Sequence, residues 1–117
     1  MSVEAAIVAL IEPIVPRVYA DVAPPGTAAP YATYQQVGGQ AISYLGREVP
    51  SIKNGRFQVN VWAPTRKAAS TLALQIEAAF ITSAAFQAEV LGAASSDYEQ
   101  STQLYGTRQD FSVWSTR

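Results

Sequence analysis

The residues that could do chemistry are few. With no histidine and no cysteine in 117 residues, the chain lacks the commonest general base, the commonest metal ligand and every thiol nucleophile, and it excludes disulfides and thiolate metal sites. A hydrolase would have to rely on a serine activated by lysine, and the neighbouring pairs are Lys67 with Ser70 and Ser51 with Lys53. The first pair sits one turn apart in a helical pattern, where a solvated lysine beside a small polar residue is the simpler reading. Asp97 and Glu99 share a strand face at period two, as a glycosidase pair or a hard-cation site would require. The further oxygen ligands such a site needs are not nearby in sequence. Gly38, Gly39, Gly46 and Gly55 are not followed by the helix and lysine of a phosphate-cradling loop, and turn chemistry accounts for them. Six tyrosines and two tryptophans could stack nucleobases only beside a basic groove, which this chain lacks. Sheet packing or a protein interface is the expected role of these rings. No catalytic residue, cofactor or metal is therefore expected.

Charge and length narrow the classes further. Eight basic residues against nine acidic ones leave a formal net charge of -1, so no global field collects DNA or an anionic membrane surface. The apolar run Ala5 to Ile11 is too short to span a bilayer, which takes about 20 residues. It also lacks the positive n-region of a secretory signal, its first charge being Glu4. An intracellular product, or a part of an assembly made inside a cell, is expected. A chain of this length with 49% hydrophobic residues suits one domain over residues 1–117 that buries roughly two-thirds of its unfolded surface.

The elements that must position any site read as follows. Val3, Ile7, Leu10 and Ile11 recur at helical spacing behind Ser2, predicting a capped helix from about Val3 to Glu12 that ends near Pro13 and Pro16. A short strand from Arg17 to Val22 and a strand from Tyr31 to Val37 flank an irregular proline-rich connection. The region from Arg56 to Trp62 alternates Phe57, Val59 and Val61 against Arg56, Gln58 and Asn60, the mark of a strand buried on one face. Pro64 then suits the first turn of a helix that runs through Phe80. Phe86 to Leu91 reads as a strand, Gly92 to Asp97 as a loop, Tyr98 to Leu104 as a polar strand, and Thr107 to Trp114 as the last strand. Two strands end in Val-Trp, at Val61-Trp62 and Val113-Trp114, and are expected to be sheet neighbours with similar rims or a coincidence. The fold class is α+β: an antiparallel sheet of four to five strands with two main helices mainly on one face.

Two features call for partners. On the second helix Ala69, Leu72, Ile76 and Phe80 cluster on one side, while Leu74, Ala78 and Ile81 cluster nearly opposite. The second face is expected to lie under the first helix or against another subunit, because leaving it exposed would cost Leu74 and Ile81 about 1.5 to 3 kcal/mol each. The segment from Gly38 to Asn54 exceeds the 2 to 5 residues usual for a hairpin connection, and Asn54-Gly55 reads as a tight turn. Ile42, Tyr44, Leu45, Val49 and Ile52 are too apolar for a solvated loop, and Arg47 with Glu48 offers charges that could set register across an interface. The segment is expected to project as a loop or hairpin and to order itself on a neighbour, with a hairpin folded back on its own sheet as the alternative.

Several of these stretches together resemble the tail-completion or tail-terminator family of tailed bacteriophages. They are Gly55-Arg56-Phe57-Gln58-Val59-Asn60-Val61-Trp62-Ala63, then Arg66 and the Ala69, Leu72, Ile76, Phe80 helix, then Tyr105-Gly106 and Asp110-Phe111-Ser112-Val113-Trp114. Pro30-Tyr31 opening an early strand also fits, so the likeness covers about residues 26 to 114. It implies a small α+β structural protein of the virion, assembled in the host cytoplasm, that forms a ring of usually six subunits at the head-proximal end of the tail tube. The implied partners are further copies of itself, the tail tube protein and a head-completion or connector protein. The competing expectations are a head-completion or adaptor ring protein and a small-molecule-binding α+β domain lined by tyrosines.

Overall fold

A computed structural model describes residues 1–117. The element order is α1 (Val3–Ile11), β1 (Val18–Ala20), β2 (Tyr31–Gln36), β3 (Ile52–Ala63), α2 (Arg66–Ile81), β4 (Gln87–Val90), β5 (Ser95–Glu99) and β6 (Leu104–Thr116). This is the expected α+β class, with six strands where four to five were anticipated. The spatial order is β1-β2-β3-β6-β4, with β5 also paired to β6. All pairings are antiparallel except β1 with β2.

The backbone of the sheet is the β3–β6 ribbon, paired from Ile52 with Thr116 to Ala63 with Tyr105. Alternation along β3 buries Phe57, Val59 and Val61 on one face, and along β6 it buries Phe111 and Val113 beside them. Both helices close the same core. Helix α1 contributes Val3, Ala6, Ile7 and Ile11, and α2 contributes Ile76 and Phe80. The centre of this cluster is aromatic: Phe80 stacks on Phe111 at 4.1 Å between ring centroids and tilts against Phe86 at 5.6 Å. Ser2 caps α1, its hydroxyl accepting from the Ala5 amide. Thr65 caps α2 by accepting from the Ala68 amide, so Pro64 lies just ahead of the cap and not in the helix's first turn. No helix is long and apolar enough to cross a membrane.

Pairing corrects several local readings. Asn54-Gly55 is no turn but lies within β3, opposite Trp114 and Val113. The Asn54 side chain accepts from the Gln40 amide and donates to Ser112 Oγ, bridging three segments. Gly55 takes the close approach of Gly39, whose φ is +142° and where an added Cβ would fall 2.8 Å from the Gly55 Cα. The irregular segment therefore ends at Ser51, and Ile52 opens a strand. The strand expected over Arg17 to Val22 shortens to three residues. Tyr98 to Leu104 is not a strand: Tyr98 belongs to β5, residues 100–103 form the turn, and Leu104 starts β6.

The stretch expected as a loop from Gly92 to Asp97 is part bulge and part strand. Val90 faces Phe111 and Ser95 faces Arg108, so residues 91–94 stand opposite only Gln109 and Asp110. These two extra residues make β4 and β5 one interrupted edge strand. Gln109 Nε2 holds the bulge, donating to the Gly92 carbonyl and to Glu77 Oε1 on α2. The two Val-Trp endings are on neighbouring strands, but they do not share a rim. Antiparallel pairing sets Trp62 opposite Gly106 and Trp114 opposite Asn54, at the two ends of the ribbon.

Arg66 ties the start of α2 to the sheet. Its Nη1 donates to the Gly106 carbonyl at 2.7 Å, its Nη2 donates to the Asp97 carbonyl, and the guanidinium lies over the Tyr105 ring. Replacing Arg66 by alanine is expected to cost about 2 kcal/mol, since two charge-assisted hydrogen bonds to backbone carbonyls are lost. Lysine should recover only part of this because it cannot fork between two acceptors. Denaturant unfolding of the three proteins, with unchanged m-values, checks the figure.

Candidate assembly surfaces

The segment from Val37 to Ser51 is held only at its feet. The Val37 amide donates to the Arg56 carbonyl and the Arg56 amide to the Gly38 carbonyl; Gln40 is held by Asn54, and the Arg117 amide donates to the Ser51 carbonyl. Residues 41–49 make no hydrogen bond to the rest of the chain, and their one internal backbone bond runs from the Arg47 amide to the Tyr44 carbonyl. No strand forms in this segment, so the folded-back hairpin is not what the chain adopts. Leu45 is 104% exposed and Val49 75%, while Tyr44 is half-exposed and Ile42 half-buried. Arg47, with φ of 62°, marks the tip beside Glu48, and neither forms an ion pair within the chain. The chain's one salt bridge is Arg56 with Asp110 on the opposite sheet face.

Helix α2 carries the second surface. Ala69, Ala73, Ile76 and Phe80 are buried, whereas Leu74 is 67% and Ile81 60% exposed. Helix α1 does not cover them, because its own apolar side is committed to the core beneath. Leu74 borders a groove of about 330 Å³ between α2 and the β4–β5 bulge, with Ser70, Ala73, Glu77, Ala93 and Ala94 among its walls. Ile52 lines a different groove of about 500 Å³ with Phe86, Gln87 and Trp114, at one end of the β3–β6 ribbon. The nine candidate interface residues thus divide between the loop, the ribbon end and the outer side of α2. The bulge was not singled out as interface from sequence, and Trp114 was expected only among the rings with a packing or interface role. Only pairing brings them to these edges.

The acidic pair considered for a cation or glycosidase site lies on β5. Asp97 offers its backbone carbonyl to Arg66 and Glu99 accepts from the Thr102 hydroxyl. Nowhere do three or more acidic residues come together as a metal cage would need. A further concavity, of about 620 Å³, lies between the Asp21–Thr27 connection and the 99–104 turn, floored by Tyr31, Thr33, Asn60 and Trp62. Burial, and secondarily the Glu99 charge, raises the Tyr31 hydroxyl above its ordinary 10.0. Tyr34 is raised for the same first reason, with Glu4 and Asp21 adding to it. Both phenols are therefore neutral hydrogen-bonding groups at physiological pH, with no disposition to act as a base.

A chain built this way presents sheet edges, a helix face and an apolar loop to its surroundings. The family model described as tail completion protein gp17 matches residues 2–116. No curated protein matches the chain.

Proposed function

The chain belongs to the tail completion protein gp17 family, a phage tail structural family, and on that premise we propose that it forms a ring at the head-proximal end of the tail tube. The ring would stop tube polymerisation and present the surface to which the head attaches. The observation that carries this reading is the exposed apolar segment 41–49, anchored only at its feet. An apolar loop with unpaired backbone groups gains by ordering on a partner. The uncovered Leu74 and Ile81 support it, because they give each copy a second apolar side on a single-chain fold whose core is already closed. Six subunits per ring, the tail tube protein and a head-completion or connector protein as neighbours, and assembly in the host cytoplasm are part of the proposal.

Negative-stain electron microscopy of the purified protein tests it, with closed rings of uniform size as the expected result. Adding the protein to polymerising tail tubes should arrest their growth. A monodisperse monomer that leaves tube length unchanged would sink the reading. Rings that bind isolated heads but not tubes would assign the protein to the head-adaptor alternative.

Changing Leu74 and Ile81 to aspartate together is expected to give a folded, soluble monomer. Both side chains are exposed in the single chain, so the cost to folding should stay within about 2 kcal/mol, set by helix propensity and by charge near Glu77 and the helix C-terminus, while sedimentation loses the oligomer. Loss of folding would show instead that the two residues pack within the subunit.

A further inference from the structure

We propose that the groove between α2 and the β4–β5 bulge receives the tip of the 41–49 loop from a neighbouring copy, with Leu45 as the side chain that enters it. This rests on the ring reading and names the contact that would close the ring. The walls include Ala73, Ala93 and Ala94 together with Ser70, short side chains that leave space for one long apolar side chain from outside. Leu45 is the most exposed large hydrophobic side chain after loop formation, at 104%, and nothing in its own chain covers it.

Polar groups match as well. Thr107 and Gln109 line the groove and are 5% and 6% exposed. Gln109 uses only its Nε2, leaving its side-chain oxygen as a free acceptor, and the Thr107 hydroxyl makes no hydrogen bond in the chain. No side-chain nitrogen or oxygen is sealed from solvent without a partner, so the Thr107 hydroxyl keeps an opening. A nearly buried donor and acceptor facing a groove suit a segment with unpaired backbone N–H and C=O groups, and residues 41–49 are such a segment. Charge agrees: Glu77 stands in the groove wall, and Arg47 follows Leu45 by two positions without an ion-pair partner.

The two halves of the contact lie on opposite flanks of the sheet. The loop leaves from the β2–β3 connection, and the groove sits at the β4–β5 edge beyond β6. Such a contact is heterologous, each copy giving a loop to one neighbour and a groove to the other, which generates a closed ring when the rotation closes.

The absence of native cysteine makes a crosslinking test unambiguous. The full-length chain carrying both Leu45→Cys and Ala94→Cys is oxidised mildly and run on a denaturing gel. The expected result is a ladder of covalent oligomers ending at the ring size, whereas an equimolar mixture of the two single variants stops at dimers. A control pair, Leu45→Cys with Glu89→Cys on the same edge strand, should give no ladder. Rings by microscopy without the ladder would overturn this contact and leave the ring reading standing. A protein that forms neither rings nor crosslinks overturns both.

Discussion

Replacing residues 41–49 with a short glycine-serine turn is expected to abolish ring formation while leaving thermal stability nearly intact. The cut spares Gly39, which packs against Gly55, and Gln40, which Asn54 holds, so the β2–β3 ladder stays whole. What it removes is a stretch that has no hydrogen bond to the rest of the chain and whose apolar side chains are mostly exposed. Within one subunit there is little to lose. Between subunits the loss would be of Leu45 and Val49, each worth about 1.5 to 3 kcal/mol when fully buried, repeated at every interface of a ring. Two such losses per contact amount to a weakening of at least about 100-fold in each interface, because 1.4 kcal/mol is a factor of ten. Tail tubes assembled with the shortened protein should run past their normal length in electron micrographs. Normal rings and normal tubes would show that the segment is not an assembly arm.

The largest effect on folding is expected at Phe80. Its ring is fully buried, stacked 4.1 Å from Phe111 and tilted against Phe86. It is also where α2 meets the β6 strand and the chain leading into β4. Changing Phe80 to alanine should cost about 3 to 5 kcal/mol, as the transfer free energy of a ring is lost and a cavity opens among side chains that cannot collapse onto it. For a protein of ordinary stability, about 5 to 15 kcal/mol, that is a fifth or more of the total. Urea unfolding checks it through a lower midpoint at constant slope. Phe80→Leu, which keeps most of the volume, should cost markedly less. A loss below 1 kcal/mol for alanine would mean that α2 is not docked by this aromatic contact. The two variants also separate roles: the loop deletion should fold and fail to assemble, and Phe80→Ala should lose both together.

Local pattern determined a large part of this protein. Alternation marked β3 and β6, helical spacing behind Ser2 marked α1, and the apolar stripe of Ala69, Ile76 and Phe80 marked the buried side of α2, because each of these signals depends only on residues within a few positions of one another. The opposite stripe of Leu74 and Ile81 was legible in the same way, and so was the unusual apolar content of the 38–54 segment. Asn54-Gly55 misled because a turn signal is also local, while its fate depended on residues 58 positions away: Ser112 and Val113 offered pairing that extended the strand through it. The bulge between β4 and β5 could not be read from its small residues, since its two extra positions exist only relative to the β6 register. The antiparallel sense of that same ribbon sent the two tryptophans to opposite ends. The groove beside Leu74 is likewise tertiary, formed where a helix face and an edge strand distant in sequence meet, and no periodicity within either element encodes the space between them.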